Sequence, residues 1–312
     1  FHSRINFPLK IGINGMIRLW CVIYLCIFSK RIFMEEEQKV ILITGSTDGI
    51  GFETARQLAN RGHRVILHGR NNDRLERALN KIRSENGLHD MVGIQGDLAS
   101  LNQISRMGDH LYSMTDHLDV LVNNAGVIMK RYAASDDGYE MTFAINHLAH
   151  FYLTGLILPL LAGPDPARII NISSGAQSQD IDLDTLLVPD RFRSMVAYSQ
   201  SKLCNVLFTY RLARLMSREA VTVNAQHPGV INTKMLRSTW GPFGAPVEQG
   251  AENEIYLAVS DEVESITGTY FDGRNRSRSA GISYDTGVQD ALWDFSLDLL
   301  DRSGFKNPYS TH

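Results

Sequence analysis

The stretch from Lys39 to Ala55 constrains this chain more than any other. An apolar run, Val40-Ile41-Leu42-Ile43, passes through Thr44 into three glycines, Gly45, Gly49 and Gly51, and a helix-forming segment follows. The pattern reads as a buried strand, a tight turn and a helix. Glycine adopts backbone angles closed to other residues and lets the main chain approach a ligand closely. A helix opening near Gly49 offers unpaired N–H groups and the positive end of its dipole, which together favour a pyrophosphate. The spacing Gly45-x3-Gly49-x-Gly51 departs from the common G-x-G-x-x-G fingerprint. Ser46, Asp48 and Ile50, inside the turn, are candidates for contact with the same ligand.

From Val40 onward, strand-like and helix-like segments alternate. The expected strands after the first are Arg64–His68, Met91–Asp97, Leu118–Asn123, Ala167–Ser174, Val221–Ala225 and Thr267–Phe271. Such alternation implies right-handed crossovers and a single doubly wound α/β domain, with about seven parallel strands and helices on both faces. The length of 312 residues, 44% of them hydrophobic and 21% charged, supplies a full core. A net charge of −3 leaves no basic excess for nucleic acid. Of the cysteines only Cys204 lies in the body, so no disulfide forms within it, which fits a reducing, cytoplasmic setting. No histidine pair has metal-ligand spacing, and no metal is expected.

The N-terminal 38 residues differ from the rest. Met16 to Phe28 is apolar apart from Arg18, and Lys30 and Arg31 follow. Residues 16–33 read as a membrane anchor with its basic pair facing the cytosol, yet the apolar core is short of the roughly 20 residues that span a bilayer. A signal peptide and a leader preceding a natural start at Met34 are the other readings. The body is taken as 39–300, with 301–312 as a tail.

In a doubly wound sheet the ligand lies beyond the carboxyl ends of the strands. A carboxylate ending the second strand accepts the ribose hydroxyls of NAD, whereas arginine pairs with the extra phosphate of NADP. Here that strand ends His68-Gly69-Arg70, and the next carboxylate, Asp73, is placed to cap a helix. NADP(H) is therefore expected over NAD(H), with Arg70, Ser46 and Asn71 at its 2′-phosphate. The fourth strand ends Asn123-Asn124-Ala125-Gly126, a turn that allows close backbone approach. Tyr198 and Lys202, four apart in a helical pattern, share one face. A phenol with an ordinary pKa of about 10 is too weak an acid for efficient proton exchange near neutrality, and a neighbouring lysine charge together with the positive nicotinamide ring is expected to lower that value.

Taken together, Thr44-Gly45-x3-Gly49-Ile50-Gly51, Asp97-Leu98, Asn123-Asn124-Ala125-Gly126, Asn146, Ser174, Tyr198-x3-Lys202 and Pro228-Gly229-x3-Thr233 stand in one order. By these motifs the sequence resembles the short-chain dehydrogenase/reductase (SDR) family, of Rossmann type, and its retinol-dehydrogenase-like branch, over about Lys39 to Leu300. The resemblance implies an oxidoreductase interconverting a carbonyl and its alcohol by hydride transfer. Tyr198 would exchange the proton, Ser174 hold the carbonyl oxygen, Lys202 bind the nicotinamide ribose and tune Tyr198, and Asn146 position a relay water. Asp97 and Leu98 would flank the adenine, Asn124 approach its ribose, and Thr233 meet the carboxamide; Ala125, Gly126, Pro228, Gly229 and Val230 complete the cofactor set. A homo-oligomer is a further implication.

Substrate is the least constrained matter. Met235, Leu236, Trp240 and Phe243 form an apolar segment with glycine hinges, suited to roofing a pocket for a hydrophobic aldehyde, ketone, retinoid or steroid. The insert Gln177 to Val196 borders the same region. Two other classes stay open: a sensor that binds NADP without turnover, and a sugar-nucleotide epimerase or dehydratase on the same fold. The first usually lacks the tyrosine or lysine, and the second favours different glycine spacing.

Overall fold

The computed structural model describes residues 38–86, 91–163, 165–217 and 219–310. The apolar segment 16–33 lies outside these.

The glycine-rich stretch forms β1 (Val40–Ile43), a turn and helix α1 (Gly49–Asn60). After it come β2 (Arg64–Gly69), α2 (Asn72–Asn86), β3 (Val92–Gln95), α3 (Leu101–Met114) and β4 (Val120–Asn123). Helix α4 has three joined pieces: Met141–Phe143, a wider π-turn at Ala144–Leu148, and Ala149–Ile157. The second half holds β5 (Ala167–Ile172), α5 (Ser194–Leu215), β6 (Val221–His227), α6 (Lys234–Trp240), α7 (Val247–Val259), β7 (Thr269–Asp272), β8 (Asn275–Ser277) and α8 (Thr286–Arg302).

The strands form one sheet in the order β3-β2-β1-β4-β5-β6-β7-β8. Neighbours from β3 to β7 pair in parallel, and β8 adds an antiparallel edge strand. That eighth strand goes beyond the seven expected; all three of its residues are exposed, so it carries no apolar pattern to read.

Side chains alternate across the sheet. Leu42, Ile66, Leu121 and Ile169 face α3, α4, α5 and α8, while Ile41, Ile43, Leu67 and Val122 face α1, α2 and α7. A strand covered on both faces is apolar throughout, which is why β1 shows no polar alternation. The strand ends shift from their expected places. β3 stops at Gln95 because Asp97 Oδ1 accepts from Ala99 N at 3.0 Å and opens a turn. β5 stops two residues before Ser174, and β6 runs on to His227. Asn71 rather than Asp73 caps α2: its Oδ1 accepts from Arg74 N at 3.0 Å, and Asp73 sits in the first turn.

Residues 141–161 are long and apolar enough, by length and composition, to cross a membrane, but 89% of that window is buried inside the protein. It is a core helix. Nor does the body end at 300. Helix α8 continues to Arg302, and the Tyr309 hydroxyl donates to Phe151 O at 2.6 Å while its ring lies 4.5 Å from that of Trp293.

Candidate active site

Beyond the carboxyl ends of the strands lies a cavity of about 740 Å³. The turn after β1 forms one wall. Gly45 takes φ +66°, and a side chain there would stand 2.9 Å from Ala125 Cα. A side chain on Gly51 would meet the Asn124 amide and come within 3.0 Å of Gly45 O. These glycines let α1 and the β4 turn close on each other around bare main chain. The Asn124 amide locks the contact by donating to Thr44 O at 2.7 Å.

Gly45, Asp48, Gly49, Ile50, Gly51, Arg70, Asn71, Asp97, Leu98, Asn124, Ala125, Gly126, Ser174, Tyr198, Lys202, Pro228, Gly229, Val230 and Thr233 all line this one cavity. Ser46 does not. Its buried hydroxyl donates to Ile43 O at 2.8 Å and accepts from His68 N at 2.9 Å, closing the turn inward. Ser46 is thus corrected from a phosphate ligand to a turn residue, and Thr47 takes a place on the wall. Asn146 also stands behind the wall. Within the π-turn its amide brackets Val127, accepting from the N–H at 2.8 Å and donating to the carbonyl at 2.9 Å, and it donates to Ser201 Oγ at 2.9 Å. Its side chain fixes the β4 turn, while its main-chain carbonyl accepts from His150 Nδ1 at 3.1 Å.

The two adjacent serines part ways at the end of β5. Both line the cavity, but Ser173 Oγ is buried and donates to Lys202 O at 2.7 Å, whereas Ser174 hydrogen-bonds Tyr198. Lys202 is buried, donates to Ile172 O at 2.9 Å, and stands 5.8 Å from the Tyr198 ring centre. Burial pulls its ammonium down to about 8, opposed by the Glu254 carboxyl. Burial likewise holds the Tyr198 phenol above its ordinary value, and the Ser174 bond acts the other way. The expected lowering of Tyr198 by Lys202 is therefore not what the protein's own groups produce: desolvation of the phenolate outweighs the rest.

The apolar segment lies where expected. Thr233 caps α6 by accepting from Leu236 N at 3.2 Å, and Met235, Leu236, Trp240 and Phe243 reach the cavity. Trp240 stands edge-on to Tyr198, with ring centres 6.4 Å apart. Met195, from the insert, reaches the wall as expected, while several other wall residues escaped the sequence reading: His68, Arg74, His227 and Lys234. Arg74 lies four residues after Arg70, a spacing that could have marked it. Lys234 pairs with Asp48 across 186 residues, which no local pattern reveals. Among the described residues no group of three His, Cys, Asp or Glu could hold a metal ion.

A parallel sheet with a glycine turn at its first crossover, joined in one cavity to a serine, a tyrosine and a lysine, defines a nucleotide-dependent oxidoreductase. Residues 39–241 match the family described as short chain dehydrogenase. Human retinol dehydrogenase 14 is 37% identical over 286 residues, covering 83% of this chain and 85% of the relative. A solved structure from Mycobacterium paratuberculosis is 30% identical with a TM-score of 0.71, covering 86% of this chain and 94% of its own. A short chain dehydrogenase from Shigella flexneri, complexed with NADP, is 25% identical with a TM-score of 0.62, covering 77% and 100%. The chain belongs to the short-chain dehydrogenase family, in its retinol-dehydrogenase-like branch, and is an oxidoreductase acting on CH–OH and C=O groups.

Proposed function

We propose that this protein is an NADP(H)-dependent oxidoreductase that interconverts a hydrophobic carbonyl compound and its alcohol, with Tyr198 as the acid and base. The observation that carries the reading is the single cavity joining Arg70 and Arg74 at one end to Ser174, Tyr198 and the apolar α6 at the other.

The lining fits a dinucleotide. Bare main chain at Gly45 and Gly49, both at positive φ, leaves room at the N-terminus of α1 for a pyrophosphate. Arg70 and Arg74, both exposed, provide cations for a 2′-phosphate. The bound nucleotide supplies the hydride. Lys202, held by the end of β5, presents its remaining N–H groups to the nicotinamide ribose. Ser174 Oγ accepts from Ala176 N at 3.1 Å and points its hydroxyl toward Tyr198, where a substrate oxygen between the two would take that proton in place of Tyr198. Tyr198, on the wall beside Ser174, is placed to give its proton to that oxygen in reduction or to take the alcohol proton in the reverse direction; burial raises its pKa, and the positive charge of an oxidised nicotinamide and of Lys202 would oppose that shift. Trp240 and Met235 give the reacting end an apolar wall.

The NADP-complexed Shigella relative supports the nucleotide, and human retinol dehydrogenase 14 supports a long apolar substrate such as a retinoid. Membrane association through residues 16–33, with the body facing the cytosol, accords with such a substrate. NADPH and NADH oxidation against aldehydes and ketones from short-chain to retinal and steroid tests the reading. Turnover with NADPH on the apolar members is the expected result; turnover confined to NADH or to sugar nucleotides overturns it.

A further inference from the structure

At the carboxyl end of β2, His68 is buried at 3% exposure on the cavity wall, and the proton chemistry makes no use of it. Both ring nitrogens meet main-chain groups whose roles are fixed. Gly45 N–H can only donate, so Nδ1 accepts from it, at 3.0 Å. Gly96 C=O can only accept, so Nε2 carries the ring proton and donates, at 2.9 Å. The ring is therefore the neutral Nε2–H tautomer. Burial, opposed by the Gly96 bond and the Asp97 carboxylate, holds the ring below its ordinary pKa, in keeping with that neutral state.

The two partners belong to different walls. Gly45 opens the turn after β1, and Gly96 immediately precedes Asp97 after β3. His68 also exchanges main-chain bonds with Ser46: Ser46 N donates to His68 O at 3.0 Å, and His68 N donates to Ser46 Oγ at 2.9 Å. One imidazole thus ties together three adjacent strand ends: the β1–β2 register stops at Ile43 and Leu67, before His68, and the β2–β3 register at Gly69 and Gln95, one residue before Gly96. Gly45 at φ +66° has no side chain of its own to hold its conformation, so the tie from His68 is what anchors its N–H.

We propose that His68 is a positioning residue for the cofactor: the Gly96 carbonyl fixes the ring as the Nε2–H tautomer, and its Nδ1 then anchors the Gly45 turn, preforming the pyrophosphate part of the cleft. This rests on the reading of that cleft as a nicotinamide nucleotide site. Without the Nδ1 acceptor, the half-buried Gly45 N–H loses its protein partner, and the turn must be ordered during binding. Pyrophosphate and adenosine are common to NADPH and NADH, so loss of the tie weakens both equally, unlike loss of Arg70.

Three substitutions in the full chain separate the two bonds. His68→Asn places Oδ1 where Nδ1 accepts. His68→Gln keeps a donor toward Gly96 O and leaves Gly45 N–H without an acceptor, and His68→Leu removes both. Dissociation constants for NADPH and NADH, read by nucleotide fluorescence, should stay within about threefold of wild type in His68→Asn. They should rise roughly tenfold or more, by the same factor for both nucleotides, in His68→Gln and His68→Leu. Turnover at saturating nucleotide should change by less than about threefold. Wild-type affinity in His68→Gln, or His68→Asn no better than His68→Leu, overturns the proposal. Nitrogen-15 NMR of the nucleotide-free wild-type protein tests the tie independently of variant folding and of the nucleotide: a bare Nδ1 and a protonated Nε2 on His68 are expected, and the opposite tautomer overturns it. Wild-type protein that binds neither nucleotide, yet shows the expected tautomer, refutes the cofactor reading and with it the proposed role of His68.

Discussion

The Lys202 ammonium lies 5.8 Å from the centre of the Tyr198 ring and spends one donor on the Ile172 carbonyl at 2.9 Å. It stands beside the phenol, held by the last residue of β5, while Ser174 hydrogen-bonds the hydroxyl. Tyr198 and Lys202 thus stand on one helical face, the placement that the proposed division of proton transfer and cofactor anchoring requires.

Tyr198→Phe removes the proton and little volume. We expect kcat to fall by about 10²–10⁴, the usual contribution of a positioned acid or base, with the NADPH dissociation constant unchanged. Single-turnover kinetics alongside nucleotide binding checks both. Residual turnover near that of wild type would show that another group supplies the proton.

Arg70→Ala should act on the 2′-phosphate alone. An arginine–phosphate contact at an exposed site is worth on the order of tenfold in affinity, so the NADPH dissociation constant should rise by that factor while NADH binding holds. Equal losses for the two nucleotides would move the phosphate contact elsewhere, Arg74 being the next cation on the wall.

Glu254 on α7 is fully buried and accepts from Thr54 Oγ1 at 2.8 Å. Burial pushes its carboxyl up to about 8, opposed by Thr54 and Lys202. A folded pKa raised above the ordinary value contributes stability that is present below about pH 4.5 and lost as pH rises through about 8. Glu254→Gln stays neutral and can still accept from Thr54. Its stability relative to wild type should therefore improve between pH 5 and pH 8, by roughly 1–3 kcal/mol. Urea unfolding at the two pH values measures it; a difference independent of pH would mean that Glu254 ionises freely in the fold.

Tyr309 packs on Phe151 and Trp293 at ring separations of 5.0 and 4.5 Å. Tyr309→Ala opens a cavity at the end of α4 and α8 and leaves Phe151 O without its donor. A loss of about 3–5 kcal/mol is expected, as for other large aromatic truncations in a core. Thermal unfolding tests it, and an unchanged midpoint would place residues 303–310 outside the cooperative unit.

The pattern of strands and turns in the sequence was sufficient to place β1 to β7 along the chain, and with the family resemblance to name much of the cavity wall, because the strands, the glycine turn and the Tyr198–Lys202 pair depend on short-range signals; the order of the strands in the sheet came from the tertiary structure. A buried parallel strand is apolar in every residue, a phosphate turn requires glycine, and Tyr198 and Lys202 meet through the helical repeat. Tertiary structure decided what no local pattern encodes. Ser173 and Ser174 are the same residue type in sequence and both line the cavity, and only the packing of β5 against α5 commits the Ser173 hydroxyl to Lys202 O. Ser46 and Asn146 were placed among the functional groups by position, yet their partners, Ile43 and His68 for one and Val127 and Ser201 for the other, consume them as framework. The Lys234–Asp48 pair, the Tyr309 contact and the His68 tie join residues 186, 158 and 23 or 28 positions apart. Even the sense of the Tyr198 shift was a matter of burial: the charge nearby is written in the sequence, but how much water the fold removes is not.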